Sequence, residues 1–64
     1  NSDALPGKRV EVIKRISPQT PGEIKIGGEI WVAKTHYSVI EKGELAEIVY
    51  VGGAHVVVKP FHKI

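Results

Sequence analysis

Apolar residues recur two apart along most of this chain, and the places where the alternation breaks are as informative as the runs. Val10, Val12 and Ile16 fall on one face of a strand predicted over Lys8 to Ile16, with Lys14 interrupting that face. The adjacent pair Val12-Ile13 breaks the two-residue phase, which predicts a β-bulge. Ser17-Pro18-Gln19-Thr20-Pro21-Gly22 reads as a loop, because each proline removes a ladder donor. Glu23 to Ile26 alternates again, with Ile24 and Ile26 facing one way, and Gly27-Gly28 separates it from a third strand, Glu29 to Lys34. Two residues tolerant of positive φ between alternating runs predict a tight hairpin. Thr35 to Gly43 is a connection. In the fourth strand, Glu44 to Val51, Ala46 and Ile48 share one phase while Val49 and Val51 share the other, which puts a second bulge near Ile48-Val49. Gly52-Gly53 predicts a second two-residue turn, and Ala54 to Lys59 forms the last strand, ended by Pro60.

Five strands, two glycine turns and no stretch of helical period predict an all-β, small five-stranded Greek-key barrel. Closure also removes the exposed edges that would endanger so valine-rich a chain. The expected core is Val10, Val12, Ile24, Ile26, Trp31, Ala33, Ala46, Ile48, Val56 and Val58. Trp31 is placed there because an aromatic side chain of roughly 150–250 Å² is hard to replace in a small interior. Residues 1–6 read as a linker lead-in, 7–60 as the barrel domain and 61–64 as a C-terminal tail.

Composition sharpens this picture. With 64 residues, a domain buries only about 60% of its unfolded surface, and such cores rarely supply more than about 3–5 kcal/mol. The absence of cysteine removes disulfides and thiolate zinc sites and favours a reducing compartment. Nine valines and eight isoleucines against two leucines must therefore do the packing, and β-branched side chains suit a pleated surface. Few Asn and Gln, no Met, and many Lys, Glu and Ile lean towards a thermophile. No apolar run approaches the roughly 20 residues of a membrane span, so any membrane attachment is expected through segments outside these residues.

The candidate chemistry is thin. A nucleophile needs a positioned base, and that base an orienting group. The serines are Ser2, Ser17 and Ser38, the one aspartate is Asp3, and His36, His55 and His62 are scattered over a loop, a strand start and the tail. No catalytic residue is assigned. Nor do the histidines have the close spacing of metal ligands, so no metal and no cofactor are expected. Net charge is +2, with Glu interspersed among the basic residues, which is too mild for a dedicated nucleic-acid binder. Lys8-Arg9 and Lys14-Arg15 read as a solvated, aggregation-suppressing edge.

Gly7, Pro18, Gly22-Glu23-Ile24, Gly28-Glu29-Ile30-Trp31-Val32-Ala33, Ile40-Glu41-Lys42-Gly43, and Gly52 with Val56-Val57-Val58-Lys59-Pro60 follow one another in an order that resembles the C-terminal soluble domain of NfeD-like membrane proteins. The resemblance spans roughly Leu5 to Pro60. It implies an OB-fold barrel at the end of a membrane-anchored protein, soluble itself and on the cytoplasmic face. The implied partner is of the stomatin, prohibitin or flotillin type, acting in membrane organisation. Long members carry a separate serine-protease domain, which has no counterpart in these residues. One position departs from the pattern: Val32 stands where such domains often have a polar residue. If Trp31 and Ala33 face inward, Ile30 and Val32 face outward as a candidate interaction surface, since adjacent exposed aliphatics on a strand can mark a binding patch. OB-folds also bind single strands, with aromatic platforms beside a basic groove. Lys25, Lys34 and Tyr50 are the candidate contacts for that alternative. The leading expectation is a non-catalytic protein-interaction module, with no specific nucleic-acid partner.

Overall fold

Strands form where the β-branched alternation is strongest. They are β1 (Arg9–Lys14), β2 (Gly22–Ile26), β3 (Glu29–Thr35), β4 (Leu45–Gly52) and β5 (His55–Pro60), in a computed structural model that describes residues 4–62. Residues 1–3 and 63–64, the outer parts of the expected lead-in and tail, lie outside the described residues. The strands close into a barrel in the order β1-β2-β3-β5-β4. Every pairing is antiparallel except β3 with β5. This is the five-stranded Greek-key order of an OB-fold, and the all-β barrel expected from the sequence is the architecture found.

Both phase conflicts are bulges. The β1–β2 register shifts between Val12 and Lys14, and the β4–β5 register shifts between Ile48 and Tyr50. The first hairpin turns at Gly27-Gly28, closed by the pair Ile26 and Glu29. The second turns one residue later than the glycine pair suggests. Gly52 stays in β4 opposite His55, so Gly53-Ala54 forms the turn. In each hairpin the first central residue is a glycine with positive φ, +59° at Gly27 and +54° at Gly53. That is the requirement of a type II′ turn, which leaves the second central position free for alanine.

The barrel interior is filled by Val10, Val12, Ile24, Ala33, Ala46, Ile48, Val56 and Val58, all buried. The two hairpin turns lie at one end of the barrel, because β3 and β5 run parallel. There Ile26, Trp31 and Val51 are half-buried and pack against the core rather than within it. The expectation of a core Trp31 and Ile26 is thus corrected to a half-open lid. At the opposite end, β1 stops at Lys14, and Ile16 and Ile40 form an isolated bridge with both backbone hydrogen bonds at 2.9 Å. Both side chains are buried there. Ile40 was read as connection only, and it is the plug that closes this end.

Gly22 makes the bulged crossing of β1 and β2 possible. A methyl group on it would stand against the carbonyl oxygens of Lys14 and Arg15 and 2.6 Å from Ile16 Cγ1. Backbone outside the strands is tied in as well. Leu5 is half-buried against the core, and Gly7 N–H donates to the Ile48 carbonyl at 2.7 Å. Past Pro60, Phe61 N–H donates to the Leu45 carbonyl at 3.2 Å, and the Arg9 guanidinium lies 4.3 Å from the Phe61 ring centre.

Candidate functional site

Residues paired across a ladder share a face, so the register assigns every outward side chain. Ile30 pairs with Lys25, and Val32 with Glu23 on one side and His55 on the other. Lys34 pairs with Val57, and Val57 with Tyr50. Ile30, Val32, Lys25, Lys34, Tyr50 and His55 therefore occupy one continuous outer surface of β2, β3, β5 and β4. The residues weighed as a protein-docking strip and those weighed as nucleic-acid contacts lie on the same wall of the barrel.

Within that wall the apolar character is concentrated on β3. Ile30 is 62% exposed and Val32 44% exposed, side by side along the strand. Val57, on the same outer face, is only 2% exposed. It lies between Lys34 and Tyr50 in register. The sequence holds a signal for this: Val56-Val57-Val58 is a continuous apolar run, the mark of a strand covered on both faces. Reading the run as simple alternation missed Val57.

Tyr50 and His55 meet beside this strip. A methyl group at Gly52 would lie 3.2 Å from His55 Nε2 and 3.5 Å from Tyr50 Cε1, so the two rings converge over a glycine. Trp31, by contrast, alternates to the inner side of β3 and packs against the core. It cannot serve as a stacking platform together with Lys25, Lys34 and Tyr50, which face the other way.

Among the described residues, no three histidine or carboxylate side chains come together in a way that could hold a metal ion. Ser17 accepts the backbone N–H of Thr20 at 3.0 Å and has no histidine bonded to it. Ser2 and Asp3, also weighed as catalytic groups, lie outside the described residues. Among the described residues no helix is long and apolar enough to cross a membrane.

Comparison with known proteins places this geometry. A family model described as "NfeD-like C-terminal, partner-binding domain" matches residues 2–60. The structure is similar to the C-terminal domain of stomatin operon partner protein 1510-C from Pyrococcus horikoshii, with a TM-score of 0.84 and 30% sequence identity over 98% of this chain and 97% of that one. It is also similar to the soluble domain of a membrane protein implicated in regulation of membrane protease activity from Corynebacterium glutamicum. There the TM-score is 0.82 and the identity 26%, over 94% of this chain and 97% of that one. Comparison with the curated proteins gives no match.

Proposed function

The chain belongs to the NfeD-like C-terminal, partner-binding domain family, and from that premise we propose that it works as a non-catalytic protein-interaction module docking through the outer side of β3. The observation that carries this reading is the exposed aliphatic pair Ile30 and Val32 on a strand laddered to neighbours on both sides. Such a pair binds by removing apolar surface from water, and a rigid strand loses little freedom when it is covered. The partner is a stomatin-type membrane protein, in the sense that includes prohibitin and flotillin relatives. A similar domain comes from a stomatin operon partner protein. The parent protein is held at the membrane by segments outside this chain, with this domain on the cytoplasmic face.

A single-strand nucleic-acid binder would use the same wall through Lys25, Lys34 and Tyr50. With Trp31 turned to the inner face, the rings left on that wall for base stacking are Tyr50 and the half-buried His55.

The test uses the purified soluble region of a stomatin-type protein and a labelled random oligonucleotide, each titrated with wild type and Val32→Glu. Protein binding should persist above about 0.15 M salt, because apolar burial is not screened. It should weaken at least about tenfold in Val32→Glu, equivalent to about 1.4 kcal/mol, while the variant's urea melt stays close to that of the parent. Submicromolar oligonucleotide binding at that salt, indifferent to Val32→Glu, would reverse the assignment.

A further inference from the structure

The outer strip of β3 runs into a cleft. Ile30, Val32 and Lys34 alternate along the same face, and Lys34 lines a recess of about 220 Å³ between the end of β3 and the loop that follows β1. Pro18 and Pro21 wall it on the loop side, with Gln19. Ser17, Thr35 and His36 complete its lining. No carboxylate lines it, whereas Lys34 brings a positive charge and Gln19 an amide.

Ser17 and Thr35 add a second, independent observation. They are the buried polar side chains among the described residues, and both front this cleft. Each hydroxyl oxygen already accepts a backbone N–H, from Thr20 at 3.0 Å and from Tyr37 at 3.1 Å. Those bonds hold both side chains in place beside the cleft. A recess with apolar proline walls, a lysine and no carboxylate suits an anionic group on a short apolar stem. Glu23, which pairs in register with Val32 and with Lys14, is not in the cleft lining.

We propose that the cleft receives an acidic side chain of the partner polypeptide whose apolar residues lie on Ile30 and Val32. This rests on the docking reading above and specifies the partner's chemistry. At about 3.3 Å per residue, Ile30 and Lys34 stand roughly 13 Å apart along β3. A partner segment lying extended on the strip then carries its acid two residues beyond the apolar residue over Val32 and four beyond the one over Ile30. The apolar contact supplies the salt-resistant part of binding, and the carboxylate sets register and direction along the strand.

The test is an amide chemical-shift titration of the whole chain with two capped synthetic peptides. Both alternate valine and threonine; one carries Glu two positions beyond its last valine, the other Gln. Both should move the amides of Ile30 and Val32. The Glu peptide alone should move those of Ser17, Thr35 and His36 and should bind about fivefold more tightly, the upper end of what an exposed ion pair contributes. Lys34→Gln should reduce that advantage below twofold while leaving the Gln peptide unaffected. If both peptides bind the strip equally, the cleft assignment fails and the docking face stands. If the Glu advantage survives Lys34→Gln, the assignment also fails. Loss of the advantage to inorganic phosphate at matched ionic strength would give the cleft to a phosphoryl group and overturn the peptide assignment. If neither peptide perturbs Ile30 and Val32, the docking reading falls and this proposal with it.

Discussion

The two ends of the barrel solve the same problem with different side chains. The loop end is closed by Ile16 and Ile40, both buried and bridged through their backbones. The hairpin end is covered by Ile26, Trp31 and Val51, each half-exposed. Size explains the division. The interior of a five-stranded barrel is narrow, and here it holds only Ile, Val and Ala. Trp31, the largest side chain of the set, packs against that core from the hairpin end and stays partly exposed. The aliphatic plug has no such constraint, and both its residues lie outside the five strands. Burial, then, is set by where the barrel narrows as well as by the hydrophobicity of the residue.

The comparison is most easily broken at the loop end. Gly22→Ala pushes a methyl group into two backbone carbonyls that cannot rotate away. Overpacking costs typically about 1–3 kcal/mol and more where nothing can yield, and the whole domain is expected to hold only about 3–5 kcal/mol. Gly22→Ala should therefore be largely unfolded at room temperature, as read by amide shift dispersion. Next comes Ile40→Ala, which should cost about 2–4 kcal/mol in a urea melt, as for other buried aliphatic truncations. At the other end, Trp31→Ala should cost about 2 kcal/mol, below the 3–5 kcal/mol of a fully buried aromatic, with the fold retained. A Trp31→Ala variant less stable than Ile40→Ala would invert the comparison. The smallest effect belongs to the Arg15–Glu41 ion pair, 3.2 Å long with both side chains more than half exposed. Arg15→Ala should shift stability by less than about 0.5 kcal/mol.

Much of the fold was legible because its irregularities are written as phase breaks. Val12-Ile13 and Ile48-Val49 each put two apolar residues next to each other, and each proved to be a bulge. The second hairpin was misplaced by one residue because Gly52 and Gly53 are alike to a turn rule. Only Gly53 adopts positive φ, and Gly52 is needed in the strand, where the rings of His55 and Tyr50 close over it. Ile40 and Val57 were harder. Neither is marked by period two: Ile40 is buried where a single bridge joins it to Ile16, and Val57 is buried on the outer face, between Lys34 and Tyr50 in register. These are tertiary consequences that local spacing does not carry. On the outer wall, alternation alone placed Ile30 and Val32 outward, and both are exposed. The cleft has no local signature, because Ser17 and Thr35 are eighteen positions apart and come to line one recess only when the barrel closes.

The central claim is that the outer side of β3 is the docking face. Amide hydrogen exchange of the whole chain, alone and saturated with the soluble region of a stomatin-type protein, tests it most directly. A partner bound to the folded outer face suppresses local opening of the strands it covers and so slows exchange at their ladder-bonded amides. Protection is predicted to rise at Ile30, Val32 and Lys34 and at their lateral neighbours Lys25 and His55, with Glu11, Leu45 and Glu47 on the β1–β4 side unchanged. Protection confined to the β1–β4 side, with Ile30 and Val32 exchanging as in the free domain, would contradict the account.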